Sequence, residues 1–307
     1  MRRTVLIHPD ELSERWIRRA LDCGYTGIAL HPVGGEKAAE ALSDLLDKLK
    51  TASYRSLIDR AAEAGLTVEY ELHAVGYLYP RERFDEFPQT FRQNREGIRT
   101  KDFNFCFSDS EAVAFVAERA RELARQLYRS EPNYYFWADD ARDSVCCCPR
   151  CAGMTPADQN LLLMNSVCAA IRKDVPNARV ACLAYADTME VPRTVRPAEG
   201  VFLEYAPFDR DMHLPISGQD RKHAGDVRAL LDFFGRENAK VLDYWMDNSY
   251  FSKWTKPPKP YIPDREVMAS DLRFYRDLGF RHVSSFACYL GDDYTALYGE
   301  PDLPPLE

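Results

Sequence analysis

The sequence has no long apolar segment and no run of basic residues. No stretch approaches the roughly 18 consecutive apolar residues that mark a membrane-spanning helix. The N-terminus offers only Val5-Leu6-Ile7 before His8, too short for a signal peptide. Lys and Arg number 40 against 48 Asp and Glu, a net charge of −8 that argues against sequence-independent nucleic-acid binding. We therefore expect a cytoplasmic protein without membrane or nucleic-acid partners.

The chain also contains no evident linker, internal repeat or low-complexity tract. Its 307 residues are 46% hydrophobic and 29% charged, which is typical of a globular protein with a large core. An intracellular compartment keeps thiols reduced, so the nine cysteines are expected to be free thiols. A cluster of cysteines then needs another explanation, such as a metal ion.

Short β-rich runs alternate with helical segments along the whole chain, the order typical of parallel α/β folds. Eight strands are predicted: Thr4–His8, Gly27–His31, Leu66–His73, Tyr134–Asp139, Arg179–Ala186, Val201–Tyr205, Lys240–Trp245 and His282–Ala287. This number predicts a single (β/α)8 TIM barrel over residues 1–307, with the barrel at about 4–298 and a loose tail at 299–307.

One connection is much longer than a barrel turn. It runs from Tyr77 to Asp109 and is rich in Arg, Phe and Pro. Long irregular loops are usually functional or disordered, so we expect this one to cover the C-terminal mouth of the barrel. Its arginines could bind a uronic acid or a sulfate, or could simply be solvated: Arg81, Arg83, Arg92, Arg95 and Arg99.

Polar and aromatic residues concentrate where the predicted strands end, which is where the active sites of such barrels lie. In chain order these residues are His8, His31, His73, Trp137, Asp139, Asp140, Tyr185, Asp187, Glu204, Tyr205, Asp243, Tyr244, Trp245 and Asp247. Any one of them could be a helix cap or a solvated loop residue. The prediction of a site depends on the whole set.

The adjacent carboxylates Asp139 and Asp140 are the sharpest element of this set. They follow the aromatic strand Tyr134–Trp137, and at a fraying strand end both can face the mouth. Two close carboxylates resist simultaneous ionisation, so one can stay protonated as a general acid. Glycoside hydrolysis needs such an acid to protonate the leaving oxygen. The alternative is a pair of Asp residues that cap a helix or belong to a loop.

The remaining members of the set fit a sugar-binding mouth. Glu204, Asp243 or Asp247 could serve as the second carboxylate, a base or a nucleophile. Flat side chains could stack on sugar rings while histidines and Asp247 bond hydroxyl groups, although core packing explains some of the aromatics equally well. The predicted substrate-binding residues are His8, His31, His73, Trp137, Tyr185, Tyr205, Tyr244, Trp245 and Asp247.

A cysteine cluster follows the acidic pair. Cys148 and Cys151 have the C-x2-C spacing that allows two thiolates to hold one zinc ion, and Cys146 could add a third. Cys106, on the long loop, could complete a closed structural site of four cysteines. A disulfide, inert thiols or a redox function are the alternatives. No cofactor is expected to take part in catalysis.

Three segments together resemble the family of the domain of unknown function 4838, a barrel domain related to glycoside hydrolases. They are Phe87–Phe107 with its Asn104-Phe105-Cys106 sequence, Phe136–Cys151 with the acidic pair and the C-x-C-x2-C cluster, and Asn177–Tyr185. The likeness covers about Val5–Tyr298. The family is similar to the barrels of family 20 hexosaminidases and of α-glucuronidases, and this similarity implies a carbohydrate-active site.

The same resemblance implies roles for the acidic pair. In family 20 and family 84 hexosaminidases, the first acid of the pair orients the substrate's acetamido group as nucleophile and the second is the general acid. These roles would fall on Asp139 and Asp140. The Asp-Asp pair departs from the Asp-Glu of family 20 and is more similar to family 84.

The leading hypothesis is a glycoside hydrolase that acts on an oligosaccharide or glycoside. One alternative is a sugar-binding barrel without turnover. Another is a metal-dependent enzyme that uses His8, His31 and His73 with an acidic residue, since imidazoles and carboxylates bind metal ions.

Overall fold

Eight parallel strands form a closed barrel in the computed structural model, which describes residues 1–220 and 224–306. The strands follow one another around the barrel in chain order: β1 Arg2–Ile7, β2 Gly27–Leu30, β3 Thr67–His73, β4 Asn133–Trp137, β5 Arg179–Ala184, β6 Val201–Tyr205, β7 Lys240–Asp243 and β8 His282–Phe286. The predicted (β/α)8 fold is therefore confirmed. Each strand bound lies within two residues of its prediction.

Helices occupy the connections between the strands. They are α1 Glu14–Asp22, α2 Ala38–Lys48, α3 Ala52–Glu63, α4 Val75–Leu78, α5 Ser110–Gln126, α6 Pro156–Ile171, α7 Val227–Phe234, α8 Asn248–Phe251, α9 Arg265–Leu278 and α10 Asp292–Tyr298. Asp109 begins α5 by accepting the Ala112 N–H, and Gly279 ends α9 at φ 96° in the left-handed region. In the described part of the chain no helix is long and apolar enough to cross a membrane.

The chain divides into two compact units. The first unit comprises Met1–His31, Thr51–Glu69 and Glu204–Glu307, and the second comprises Pro32–Lys50 and Tyr70–Leu203. Within the first unit β1 pairs with β2 and β8, and β7 pairs with β8. Within the second unit β4 pairs with β3 and β5.

A group of buried charges lies among the strands of the first unit. Glu204 is in register with Lys240, and the Lys240 Nζ lies 3.2 Å from Glu204 and 3.4 Å from Glu69. All three side chains are fully buried. Burial alone would raise the pKa of Glu69, but the charges of Lys240, His282 and Arg2 hold it below its ordinary value. Lys240 thus compensates two carboxylates.

The long connection and the chain end are both packed. In the connection, Phe91 and Phe105 are buried and form an antiparallel bridge. The tail predicted as loose is ordered as far as Leu306, because the apolar side chains of Leu303 and Leu306 are buried. The last residue of that prediction, Glu307, lies outside the described residues.

Replacing Lys240 with Met should strongly destabilise the protein. The variant would leave Glu69 and Glu204 buried without their shared cation, which costs roughly 3–5 kcal/mol. The free energy of unfolding measured by chemical denaturation tests this. Lys50→Met is the control, because Lys50 forms an exposed ion pair with Asp47 and its loss should leave the unfolding midpoint unchanged. Equal stability of the two variants would contradict the assignment.

Candidate active site

Both the side chain and the backbone of Asp139 bind residues of the long connection. It follows the end of β4 at Trp137, and its side chain is 11% exposed. Its carboxylate forms an ion pair with Arg81 from the long connection. Its backbone N–H donates to Asn104 Oδ1 at 3.0 Å. Two residues distant in sequence therefore fix the orientation and compensate the charge of Asp139.

Asp140 has different surroundings. Its side chain is exposed, and its Oδ1 accepts a hydrogen bond from the Tyr185 hydroxyl at 3.0 Å. A Cβ added at Gly34 would lie 3.3 Å from Asp140 Oδ2 and 2.9 Å from His73 Cδ2, so the Gly34 backbone passes close to both side chains. Asp140 is thus accessible, and a neutral donor orients it.

His73 is positioned by the loop that carries the acidic pair. Its Nδ1 lies 2.7 Å from the Ala138 carbonyl oxygen, and its ring meets Trp137 edge to face at 5.1 Å. A carbonyl can only accept, so Nδ1 carries the proton. The structure therefore brings together five residues singled out from the sequence, and all belong to the second unit: His73, Trp137, Asp139, Asp140 and Tyr185.

The acidic pair is not a helix cap. Residues 141–155 contain no helix, and α6 begins only at Pro156. The sequence left open whether the two aspartates cap a helix or lie in a loop. The structure places both in a loop, where Asp139 and Asp140 have different partners. Unlike environments are what allow two neighbouring carboxylates to take different protonation states and roles.

Glu204 and Asp243, predicted as catalytic, have structural partners instead. Glu204 is fully buried against Lys240. Asp243 is fully buried as well, and it accepts hydrogen bonds from Arg210 at 2.9 Å and from the Tyr275 hydroxyl at 2.8 Å. Both carboxylates compensate buried cations in the interior of the first unit, where water and a sugar do not reach them.

Asp247 begins a helix. It is the residue before α8, and its Oδ1 accepts N–H bonds from Ser249 at 3.0 Å and Tyr250 at 3.3 Å. Its side chain is buried, and burial raises its pKa to about 6. This is the capping role that the sequence left open for any single polar residue in the set.

The aromatic residues predicted beside it belong to the core of the first unit. Tyr205 is fully buried, and its hydroxyl donates to a backbone carbonyl. Trp245 Nε1 donates to Asp271 at 2.9 Å. Tyr244 is 5% exposed and stacks on Phe286 with ring centres 5.1 Å apart. Core packing, the alternative that the sequence offered, accounts for these three residues.

His8 and His31 lie side by side in the first unit, with ring centres 6.1 Å apart. His8 Nδ1 lies 2.9 Å from the His31 carbonyl oxygen, and the backbone N–H of His8 donates to Glu11 Oε2 at 2.9 Å. Burial lowers the pKa of His8 and raises that of Glu11 to about 7. Glu11 was not singled out in the sequence, because a glutamate just after a strand is ordinary in a loop.

Within residues 1–220 and 224–306, the structure contains one group of three or more side chains that could bind a metal ion together. Its members are Cys106, Cys146, Cys148 and Cys151. All four are buried, and their sulfur atoms lie within 4.8 Å of one another. The structure thus brings together the four cysteines predicted as a set. The three predicted histidines do not join a carboxylate in such a group, so the geometry gives no support to a histidine metal centre.

Three important partners were missed in the sequence. Arg81 and Asn104 contact Asp139 from positions 58 and 35 residues earlier in the chain. Gly34 approaches Asp140 from an even more distant loop. Residue spacing carries no signal for such contacts, although Arg81 was noted among the arginines of the long connection and Asn104 belongs to the first segment of the family resemblance.

Comparison with known proteins identifies a family and a fold. The family model described as "Domain of unknown function (DUF4838)" matches residues 47–295. No curated protein matches the sequence.

Solved structures of glycoside hydrolases share the fold. A GH20 catalytic module of the pneumococcal exo-β-D-N-acetylglucosaminidase StrH is 11% identical with a TM-score of 0.51, over 95% of this chain and 80% of that one. A tri-modular GH5 endo-β-1,4-glucanase from Bacillus licheniformis is 10% identical with a TM-score of 0.49, over 94% of this chain. This chain spans only 54% of that glucanase. At 11% identity the likeness to the StrH module shows the fold alone.

The buried Glu11 should make stability depend on pH. Its folded pKa of about 7 lies above the ordinary value of 4.5, so its contribution is complete below 4.5 and is lost as the pH rises through 7. Glu11→Gln stays neutral. Between about pH 5 and pH 8 it should therefore lose less unfolding free energy than the wild type, by on the order of 2 kcal/mol.

Denaturant titrations across this pH range provide the measurement, and Glu40→Gln, at an exposed position, is the control. Asp247 titrates in the same range in every variant, so only the difference from the wild type reports on Glu11. Parallel pH curves for wild type and Glu11→Gln would rule out the shifted pKa.

Proposed function

We propose that this chain, which belongs to the DUF4838 family, is a glycoside hydrolase with Asp140 as its general acid. The observation that carries the proposal is the asymmetry of the acidic pair after β4. Asp139 is ion-paired with Arg81, whereas Asp140 is exposed and bonded to the Tyr185 hydroxyl. The position agrees with the strand ends at which barrel enzymes carry their active sites.

Asp140 has the access that an acid catalyst needs. It must approach the glycosidic oxygen and transfer its proton as the bond to the anomeric carbon breaks. Tyr185 fixes the Oδ1 atom of Asp140, so the Oδ2 atom, on the side of Gly34 and His73, is the better placed to carry the proton. His73 and Trp137 would then contact the sugar beside it.

Asp139 suits an orienting role better than a nucleophilic one. Arg81 occupies one of its oxygens, and Gly76 passes close to the other, since a Cβ there would lie 3.1 Å from Oδ1. Glu204, Asp243 and Asp247, the other carboxylates predicted as base or nucleophile, are buried and have structural partners. A substrate that supplies its own nucleophile removes the need for a second enzymic one.

We therefore assign an N-acetylhexosaminide as the substrate class. The acetamido oxygen would attack the anomeric carbon while Asp140 protonates the leaving oxygen. Water would then add to the anomeric carbon of the cyclic intermediate and return a proton to Asp140, while the bond from that carbon to the acetamido oxygen breaks and the acetamido group is restored. Asp139 would hold the acetamido N–H during both steps. StrH, whose fold is similar, is described as an N-acetylglucosaminidase.

Asp140→Asn should abolish hydrolysis of substrates with poor leaving groups. Loss of a general acid lowers the rate by about 10²–10⁴-fold. The loss should be much smaller for a dinitrophenyl glycoside, because that leaving group departs without a proton. Rates on aryl N-acetylhexosaminides, aryl glucuronides and natural oligosaccharides, each with wild type and variant, provide the measurement.

Asp143→Asn is the matched control, because Asp143 is an exposed carboxylate in the same loop and its side chain forms an ion pair with exposed Arg95. It should retain the wild-type rate. Glucuronide hydrolysis without hexosaminide hydrolysis would keep the glycosidase and overturn the substrate class. Sugar binding by the wild type without turnover on any substrate would replace the enzyme with a binding protein.

Tyr185→Phe should reduce the rate about 5-fold, because it removes a hydrogen bond worth about 1 kcal/mol from Asp140. A double-mutant cycle with Asp140→Asn tests whether the effect passes through Asp140. The double variant should be no slower than Asp140→Asn alone. Additive losses would show that Tyr185 acts independently of the acid.

A further inference from the structure

The four buried cysteines of the second unit have the spacing of a tetrahedral metal site. The sulfurs of Cys106, Cys148 and Cys151 form a triangle with sides of 3.7 Å. Tetrahedral zinc–thiolate bonds of about 2.3 Å place neighbouring sulfurs about 3.8 Å apart. Cys146 lies within 4.8 Å of the other three sulfurs and supplies the fourth corner.

This arrangement does not fit a disulfide. A disulfide joins two sulfurs at about 2.05 Å and would leave the other pair apart. Here three sulfurs are equidistant, and all nine cysteines are free. Inert apolar packing would not require polar donors around the sulfurs.

Donors do surround the group. The Gln93 backbone N–H donates to Cys146 Sγ at 3.3 Å, and Arg99 Nη1 lies 3.8 Å from the same sulfur. Arg150 interacts with Cys106 and Cys148. Backbone N–H groups and guanidinium charges favour thiolates, and four thiolates around a divalent ion carry a net charge of about −2 that nearby arginines compensate.

We propose that Cys106, Cys146, Cys148 and Cys151 bind one zinc ion in a closed structural site. Soft thiolates in tetrahedral geometry select zinc. Four protein ligands leave no open position, so the ion does not activate water. Each ligand thiol loses its proton to solvent when the metal binds.

The site joins the two segments that hold the acidic pair. Cys106 lies two residues after Asn104, whose Oδ1 accepts the Asp139 N–H and whose Nδ2 lies 3.2 Å from Ser144 Oγ. The other ligands follow Ser144 directly. A zinc ion would therefore fix Asn104 against residues 139–151. Its effect on catalysis rests on the proposed function, whereas the site itself does not.

Metal content of the purified full chain tests the site. Elemental analysis should give about one zinc ion per chain for the wild type. It should give the same for Cys147→Ser, because Cys147 lies between two ligands but is exposed. Cys106→Ser and Cys148→Ser should lose most of the metal. A folded wild type that takes up no zinc from solution, or a Cys106→Ser, Cys148→Ser double variant that retains it, would overturn the proposal.

Cobalt substitution of the wild type keeps the test independent of variants that fail to fold. Co²⁺ in four thiolates gives intense sulfur-to-cobalt charge-transfer bands and tetrahedral d–d bands. These bands should appear with wild type and Cys147→Ser. An octahedral cobalt spectrum without charge transfer would contradict the site. Metal binding without sugar hydrolysis would refute the proposed function alone, and sugar hydrolysis by a folded wild type that takes up no zinc from solution would refute the zinc site alone.

Discussion

The hydrogen bond between the Asp139 N–H and the Asn104 side chain is the contact on which the candidate site depends. A strand end by itself leaves the next residues free to take many conformations, at a cost of roughly 1–2 kcal/mol for each residue that becomes ordered. Asn104 limits this freedom because it bonds Asp139 and reaches Ser144 at the same time. The long connection is therefore part of the scaffold of the candidate site, and its packing determines where the acidic pair points.

Charge compensation separates the buried structural carboxylates from Asp140, the proposed acid. Arg210 lies between Asp243 at 2.9 Å and Asp271 at 2.8 Å, and all three side chains are fully buried. Removing one partner from such a group strongly destabilises the protein, because it leaves an unpaired buried charge. Asp140 is exposed and its partner is a neutral hydroxyl, so replacing it leaves no buried charge unpaired. Exposure and a neutral partner thus distinguish Asp140 from Asp243.

The fold was predictable from sequence because its signals are local. The alternation of strands and helices, the Asp109 cap and Gly279 each act over a few residues, and the eight predicted strands form. The site was predictable only in part. Glu204 is the next-to-last residue of its strand, but in the barrel it is level with Lys240, the first residue of β7. This stagger between neighbouring strands places Glu204 in the interior, and no property of the single strand reveals it.

The cysteine cluster shows the same division between local and distant information. The C-x2-C spacing of Cys148 and Cys151 is a local signal, and it alone raised the prediction of a metal site. Cys106 joins them because antiparallel bridges of Phe91 with Phe105 and of Gln93 with Arg99 fold the long connection back on itself. That fold brings Gln93 and Arg99 to Cys146 as well, so the donors and one of the ligands come from a single segment. Because that segment also carries Asn104, its conformation is common to the cysteine cluster and the acidic pair.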